Sequence, residues 1–258
     1  MKNKLNIKND FKEYELDLLG IEGPHKQSIS PYRFWYDHIR KNALKNNGDI
    51  LEFGVYRGRS ILTAALILKK LNSKKKIYGF DTFTGLPSPS KFDNFKQFKK
   101  KKYFSKKLQT EIKNNFKLKK TLTKIKKFNT HNISTSGNFS NTSYEYVMER
   151  IKYLKLKNVK LIKGDIAKTL PKFFDKGKIE ISSCNIDTDL YDTYKTILPY
   201  VYTNLTKKGY IFLDEYYSLK FPGPKIATDN FCKKIKIKPK KHKVRSSEFE
   251  RYYLTKDI

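Results

Sequence analysis

Residues Ile50–Ser60, Ile-Leu-Glu-Phe-Gly-Val-Tyr-Arg-Gly-Arg-Ser, run directly into the apolar segment Ile61–Leu68. The start is a short apolar run bounded by a turn signal, as in a buried strand. The end has the composition of a buried helix. A strand that passes through a glycine-containing turn into a helix is the first half of a βαβ unit, and such units bind ligands at that turn. The turn reads Glu-x-Gly-x-x-x-Gly. It lacks the third glycine of Gly-x-Gly-x-x-Gly, which lets the backbone close on a pyrophosphate. A parallel α/β sheet is therefore expected, with a ligand other than a dinucleotide.

The rest of the chain repeats the alternation. Ser30-Pro31 is read as the start of a helix reaching about Asn46, with Ser30 as its N-cap. Strands are expected at Asp49–Phe53, Lys76–Asp81, Val159–Lys163, Ile179–Asp187 and Gly209–Asp214. Helices are expected at about Ser60–Leu71, Thr142–Leu154, Tyr191–Leu205 and Ile226–Phe231, with a short crossover at Leu170-Pro171. Lys234–Lys240 and Glu248–Thr255 suit an antiparallel terminal hairpin. Residues 91–136 interrupt the rhythm. Their aromatic and aliphatic residues recur at helical spacing between lysines, so they read as a partly helical insertion. The fold class is thus a Rossmann-like α/β sheet, mostly parallel, forming one domain over 1–258 with an N-terminal helical or lid segment at 1–47.

Charge narrows the function classes. The formal net charge is +31, which raises nucleic-acid binding as a reading. Yet of 56 basic residues only seven are Arg, the residue expected on a phosphate-reading surface. The charge is also concentrated: Lys91–Lys127 holds 15 Lys against two acids, and Lys233–Arg245 holds eight basic residues and no acid. Such runs suit solvated surface or attraction to an anionic substrate. No apolar run approaches the ~18 residues of a membrane span. The first ten residues hold no apolar core, so no secretory signal is expected. Cys184 and Cys232 fit neither a disulfide framework nor a zinc site. The expectation is a cytoplasmic protein in a reducing compartment, with no specific nucleic-acid partner.

In sheets of this kind ligands sit at the carboxyl ends of the strands. The notable acids fall there: Glu52, Asp81, Asp165, Asp187 with Asp189, and Asp214 with Glu215. Asp81 lies 23 residues beyond Gly58, close to the ~20 expected of an acid that holds a ribose. Glu52, Gly54, Tyr56, Gly58, Ser60, Asp81, Asp165 and Ile166 together suit a nucleoside pocket, with Asp165 near the adenine amino group and Ile166 against the ring. A sulfonium nucleoside such as S-adenosylmethionine carries no phosphate, so two glycines and an acid suffice for it. Asp187, Asp189, Asp214 and Glu215 bring up to four carboxylates to two neighbouring strand ends. With no Lys nearby in sequence, such a group is hard to hold together without a cation. Oxygen ligands without His or Cys suit Mg²⁺, Ca²⁺ or Mn²⁺.

These segments, with Gly79–Pro87, Gly137–Ser140, Thr169–Pro171, Ile186–Tyr191 and Leu213–Tyr216, resemble the macrocin O-methyltransferase (TylF/MycF) family. The resemblance spans about Gly48 to Phe231 apart from the insertion. It implies a class I S-adenosylmethionine-dependent methyltransferase that acts on sugar hydroxyls and uses Mg²⁺. It implies Asp187, Asp214 and Glu215 as metal ligands, with Asp189 nearby. Arg59 stands where the family usually has a glycine, and Glu215 where it usually has Asp. The lysine-rich insertion departs from the pattern at the place where substrate-covering segments fall.

The expected reaction is displacement of the sulfonium methyl by a sugar hydroxyl. The candidate proton acceptors are Asp187 or Asp189, or Glu22, His25 or His131 on a closing segment. The insertion's charge points to an anionic acceptor, such as a nucleotide-linked sugar. Two rival readings are an RNA or other nucleic-acid methyltransferase and a non-catalytic binding module on the same fold. Against the first, the position after the fourth strand is Asp187-Thr-Asp-Leu, acidic and without proline. Against the second stands the intact acidic set. A homo-oligomer is compatible with all of these readings.

Overall fold

The computed structural model describes residues 30–177, 179–245 and 248–256. Strands β1 (Asp49–Phe53), β2 (Ile77–Asp81), β3 (Val159–Lys163), β4 (Ile181–Ile186) and β5 (Leu205–Leu213) pair in parallel in the order β3-β2-β1-β4-β5. Strand β7 (Tyr252–Thr255) pairs antiparallel with β5, and β6 (Lys240–Lys241) closes the edge. The seven-stranded sheet is the mostly parallel, Rossmann-like arrangement expected, with its antiparallel terminal hairpin. The order reverses between β1 and β4, so a topological switch point opens at their carboxyl ends.

Each face of the sheet carries its own core. On one, helix α1 (Arg33–Asn42), α2 (Arg59–Lys70) and α4 (Tyr144–Tyr153) bury Trp35, Tyr36, Ile61, Leu62 and Val147. On the other, α5 (Ile166–Phe174), α6 (Tyr191–Thr203) and α7 (Gly223–Lys234) bury Leu170, Tyr194, Ile197 and Ile226. The insertion's helix α3 (Lys106–Thr123) adds Leu108 and Ile112 to that second core. Its lysines other than Lys119 face water while one apolar stripe packs inward, the ordinary division of an amphipathic helix.

Several boundaries differ from the sequence expectation. Helix α1 starts at Arg33, not Pro31, and ends at Asn42. Ser30 instead accepts the Tyr32 N–H at 3.3 Å in a turn ahead of the helix, so it is not the N-cap. Residues 1–29 lie outside the described residues. The part of the 1–47 segment that is described is core: Trp35 is fully buried and donates its indole N–H to Ser183 Oγ at 2.9 Å. Strand β6 is two residues long where a strand over Lys234–Lys240 was expected, and α7 continues to Lys234. Strand β5 begins at Leu205, four residues early, and pairs with Ile181 there.

The insertion also does structural work for the site. Asp93, buried, accepts the Tyr191 N–H at 2.8 Å and so caps α6 in place of Leu190, which has no capping side chain. Its other oxygen accepts from the Ser90 N–H at 2.8 Å. A carboxylate at a helix N-terminus also interacts favourably with the helix dipole. The start of α6 carries the residues that follow β4, so Asp93 sets where they point.

Candidate active site

A cavity of about 640 Å³ opens at the switch point, lined from the ends of β1, β2, β3, β4 and β5. Of the expected nucleoside residues, Gly54, Tyr56, Ser60, Asp81, Asp165 and Ile166 line it. Glu52 and Gly58 do not.

Gly54 has φ +89°, and a Cβ there would stand 1.7 Å from the Asp187 carbonyl oxygen. The glycine is thus required by the close pairing of β1 and β4, where Asp187 N–H donates to Phe53 O at 2.9 Å. Gly58 starts α2 with φ +86° and packs against Leu62 and Val147. Glu52 is fully buried below the turn. Ser60 Oγ donates to it, and Asn185 Nδ2 does so at 3.1 Å. Burial holds its carboxyl well above the ordinary range against the pull of those bonds. It anchors the turn from beneath and is not a wall of the cavity.

Asp81 ties two strand-end loops together. One oxygen accepts the Tyr56 N–H at 2.8 Å and the other the Phe83 N–H at 2.6 Å. The carboxylate lines the cavity, where it can accept from a ligand hydroxyl, and the Thr82 hydroxyl also lies 3.5 Å from Oδ1. Burial raises its pKa while these N–H groups oppose the rise. Asp165 is exposed and caps α5 by accepting the Ala167 N–H at 2.9 Å, and Ile166 is buried beside it. The loop after β2 is pinned over the cavity by the Leu86 N–H on Asn138 O at 2.9 Å. Leu86, Pro87, Ser134 and Phe139 consequently form a wall that no single motif announced.

The ends of β4 and β5 form the other half. Carboxylate oxygens of Asp187, Asp214 and Glu215 all lie within 4.8 Å of one another. Tyr32 donates its hydroxyl to Asp187 Oδ2 at 2.6 Å. The Tyr194 hydroxyl lies 2.7 Å from Glu215 Oε2, and Arg251 donates to Asp214 Oδ1 at 3.2 Å. Burial, then the charge of Asp214, pushes Asp187 up to about 6. Burial, then the charge of Asp187, raises both Glu215 and Asp189 well above the carboxylate range. Lys220 lines the cavity and pulls Asp187 and Asp189 the other way, so a lysine is near the acids after all, a few residues beyond Glu215 in the chain. Three converging hard-oxygen donors that repel one another when ionised are a donor set that fits Mg²⁺ or Ca²⁺.

Asp189 stands apart from that set. It is buried, lines the same cavity, and has φ +61° within a turn closed by the Leu190 N–H on Thr188 O at 2.7 Å. A three-residue turn with positive φ at a non-glycine centre is strained, by on the order of 1–3 kcal/mol, and such strain concentrates at functional positions. His131 is exposed and does not line the cavity. Glu22 and His25 lie outside the described residues. Arg59 lines the cavity at the first position of α2. Tyr32, Lys220 and Arg251 were not found from sequence. Tyr32 and Arg251 are remote in sequence from the acids they serve, and no local pattern marks Lys220 although it follows Glu215 by a few residues.

A family model described as Macrocin-O-methyltransferase (TylF) matches residues 35–156 and 124–247. Among curated proteins no sequence match is found. Similar solved structures include the O-methyltransferase NovP, with a TM-score of 0.60 and 18% identity over 86% of this chain and 79% of that one. The calicheamicin methyltransferase CalS11 has a TM-score of 0.62 and 19% identity over 98% of this chain and 87% of its own. An O-methyltransferase from Bacillus cereus in complex with SAH has a TM-score of 0.51 and 10% identity over 95% and 88%. At these identities the likeness is one of fold.

Proposed function

The chain belongs to the macrocin-O-methyltransferase (TylF) family and is an S-adenosylmethionine-dependent O-methyltransferase; from that premise we propose that it methylates a sugar hydroxyl, with Mg²⁺ at Asp187, Asp214 and Glu215, and that the sugar carries negative charge. The observation that carries the reading is the convergence of three carboxylates within 4.8 Å on the same cavity as the nucleoside-suited residues. CalS11, a TDP-rhamnose 3'-O-methyltransferase of similar fold, supports a nucleotide-linked sugar as acceptor.

S-Adenosylmethionine, when bound, supplies a methyl carbon on a sulfonium, which an acceptor oxygen displaces as the carbon–sulfur bond breaks with its electron pair left on sulfur. The cation, when held by the three carboxylates, would lower the pKa of a neighbouring hydroxyl. The chain's own residues do the rest. Gly54, Tyr56, Ser60, Asp81, Asp165 and Ile166 seat the donor, with Asp81 accepting from ribose hydroxyls. Glu52 and Gly58 hold the turn that shapes the seat. Tyr32 and Tyr194 orient two of the three metal-side carboxylates through their hydroxyls. Asp189, the buried carboxyl outside that set, takes the hydroxyl proton when it is ionised, the form that the charge of Lys220 favours. We read the whole chain as one methyltransferase domain. Among the described residues no helix is long and apolar enough to cross a membrane.

The test is methyl transfer to a panel of sugar phosphates, nucleotide sugars and neutral glycosides, run with Mg²⁺ and after rigorous chelation. Turnover on a charged sugar that disappears with chelation and returns with Mg²⁺ is expected. Turnover indifferent to chelation would remove the cation from this account. A neutral glycoside outperforming its phosphorylated counterpart would remove the charge.

A further inference from the structure

A second cavity, of about 350 Å³, adjoins the first and shares Asp189, Asp214, Glu215 and Lys220 with it. Its remaining wall brings in Lys119 from α3, Arg251 from the approach to β7, and Asn115, Tyr217 and Phe249. Three cations from three separate parts of the chain, Lys119, Lys220 and Arg251, thus face one small space beside the carboxylates.

Lys119 is brought there by the docking of its helix. Glu111, Asn115 and Lys119 are spaced four apart and so lie on one face of α3. Glu111 accepts the Tyr217 hydroxyl, and Asn115 Nδ2 donates to the Leu219 carbonyl at 3.2 Å. Those two contacts fasten this face to the chain that follows β5, and Lys119 comes next on the stripe. Lys119 is half-buried, while Lys113, Lys117 and Lys120 of the same helix are exposed. Among the described residues neither Lys119 nor Lys220 has an ion-pair partner within contact distance, and burial together with the charge of Lys220 depresses the Lys119 pKa. Arg251 spends one N–H group on Asp214 and has four more donors. Like charges gathered in a partly enclosed space lower their mutual repulsion by holding an anion between them.

The geometry points to a phosphoryl-binding subsite formed by Lys119, Lys220 and Arg251, which holds the phosphate of a glycosyl phosphate while its hydroxyl reaches the carboxylates next door. This rests on the sugar O-methyltransferase reading and gives its anionic acceptor a definite chemistry. A phosphoryl dianion offers three terminal oxygens to three cations, whereas a carboxylate offers two oxygens and one charge. The insertion is then more than a solvated appendage, since one of its many lysines is a wall of the acceptor side.

The experiment is calorimetric titration of the protein, saturated with S-adenosylhomocysteine and Mg²⁺, with glucose 1-phosphate, glucuronate and glucose in turn. Glucose 1-phosphate is expected to bind tightest. Lys119→Gln and Lys220→Gln should each weaken it about tenfold, the worth of one charge-assisted hydrogen bond. The triple variant Lys113→Gln/Lys117→Gln/Lys120→Gln removes more charge from the same helix and should leave it unchanged. Affinity for S-adenosylhomocysteine should stay constant in every variant, which also reports correct folding. Glucuronate binding as tightly as glucose 1-phosphate would overturn the subsite. So would a Lys119→Gln protein that binds like wild type, or a triple variant that loses as much. Failure of the wild-type protein to bind S-adenosylhomocysteine would instead strike the methyltransferase reading itself.

Discussion

The two halves of the cavity are built in different ways. The half at β1, β2 and β3 is held largely by contacts that are short in sequence or made to backbone, with Asn185 on Glu52 as a long-range exception. Asp165 bonds an N–H two residues on, Asp81 bonds those of Phe83 and Tyr56, and Ser60 bonds Glu52 eight residues back. The half at β4 and β5 is held by side chains from far away. Tyr32 reaches Asp187 across 155 residues, and Arg251 reaches Asp214 across 37. The first half takes most of its ligand-facing contacts from the βα turns themselves. The second needs the whole domain to close. A seat for a common donor can be made locally, whereas buried carboxylates that repel one another need supports from wherever the fold brings them.

This contrast can be broken at single residues. The largest effect is expected from Asp187→Asn, which removes a charge from the centre of the acidic set. Turnover should fall by at least about a hundredfold. Calorimetry with S-adenosylhomocysteine should meanwhile give a wild-type affinity. Loss of that affinity would mean the halves are one unit. Tyr32→Phe deletes only the hydroxyl on Asp187, and the apparent Mg²⁺ affinity, read from rate against cation concentration, should drop by about ten- to a hundredfold. An unchanged Mg²⁺ dependence would show that the long-range support is dispensable. Asp81→Asn is the mirror case. It should weaken S-adenosylhomocysteine about tenfold, as one charge-assisted bond is lost. The Mg²⁺ dependence should not move, and if it does, the halves are coupled through the β1–β4 pairing at Gly54.

The same contrast explains what was legible in the chain. The strand ends, and the acids on them, could be placed because period and turn chemistry are local properties. So could the insertion, whose lysines broke the rhythm. Gly54 was recognised as special but for a different cause: it makes room for the Asp187 carbonyl, 133 residues away, and a ligand is not needed to explain it. Glu52 was placed at the right strand end yet on the wrong side of the turn, because alternation along five residues of a strand buried on both faces does not tell cavity from core. The β6 boundary slipped because strand length there is set by pairing with β7, which engages only Lys240 and Lys241, and not by local propensity.

By itself the sequence determined the parallel α/β order, the edge at which the site lies, and the carboxylates that line it. These follow from hydrophobic period, glycine turns and the rule that ligands gather at strand ends. Only the tertiary structure decided that Glu52 lies beneath the turn, that Asp93 caps α6, and that Tyr32, Lys220, Arg251 and Lys119 stand around the acids. The physical reason is range. Backbone conformation is chosen among near neighbours, while the charge and hydrogen-bond environment of a buried carboxylate is set by whatever the closed fold packs against it.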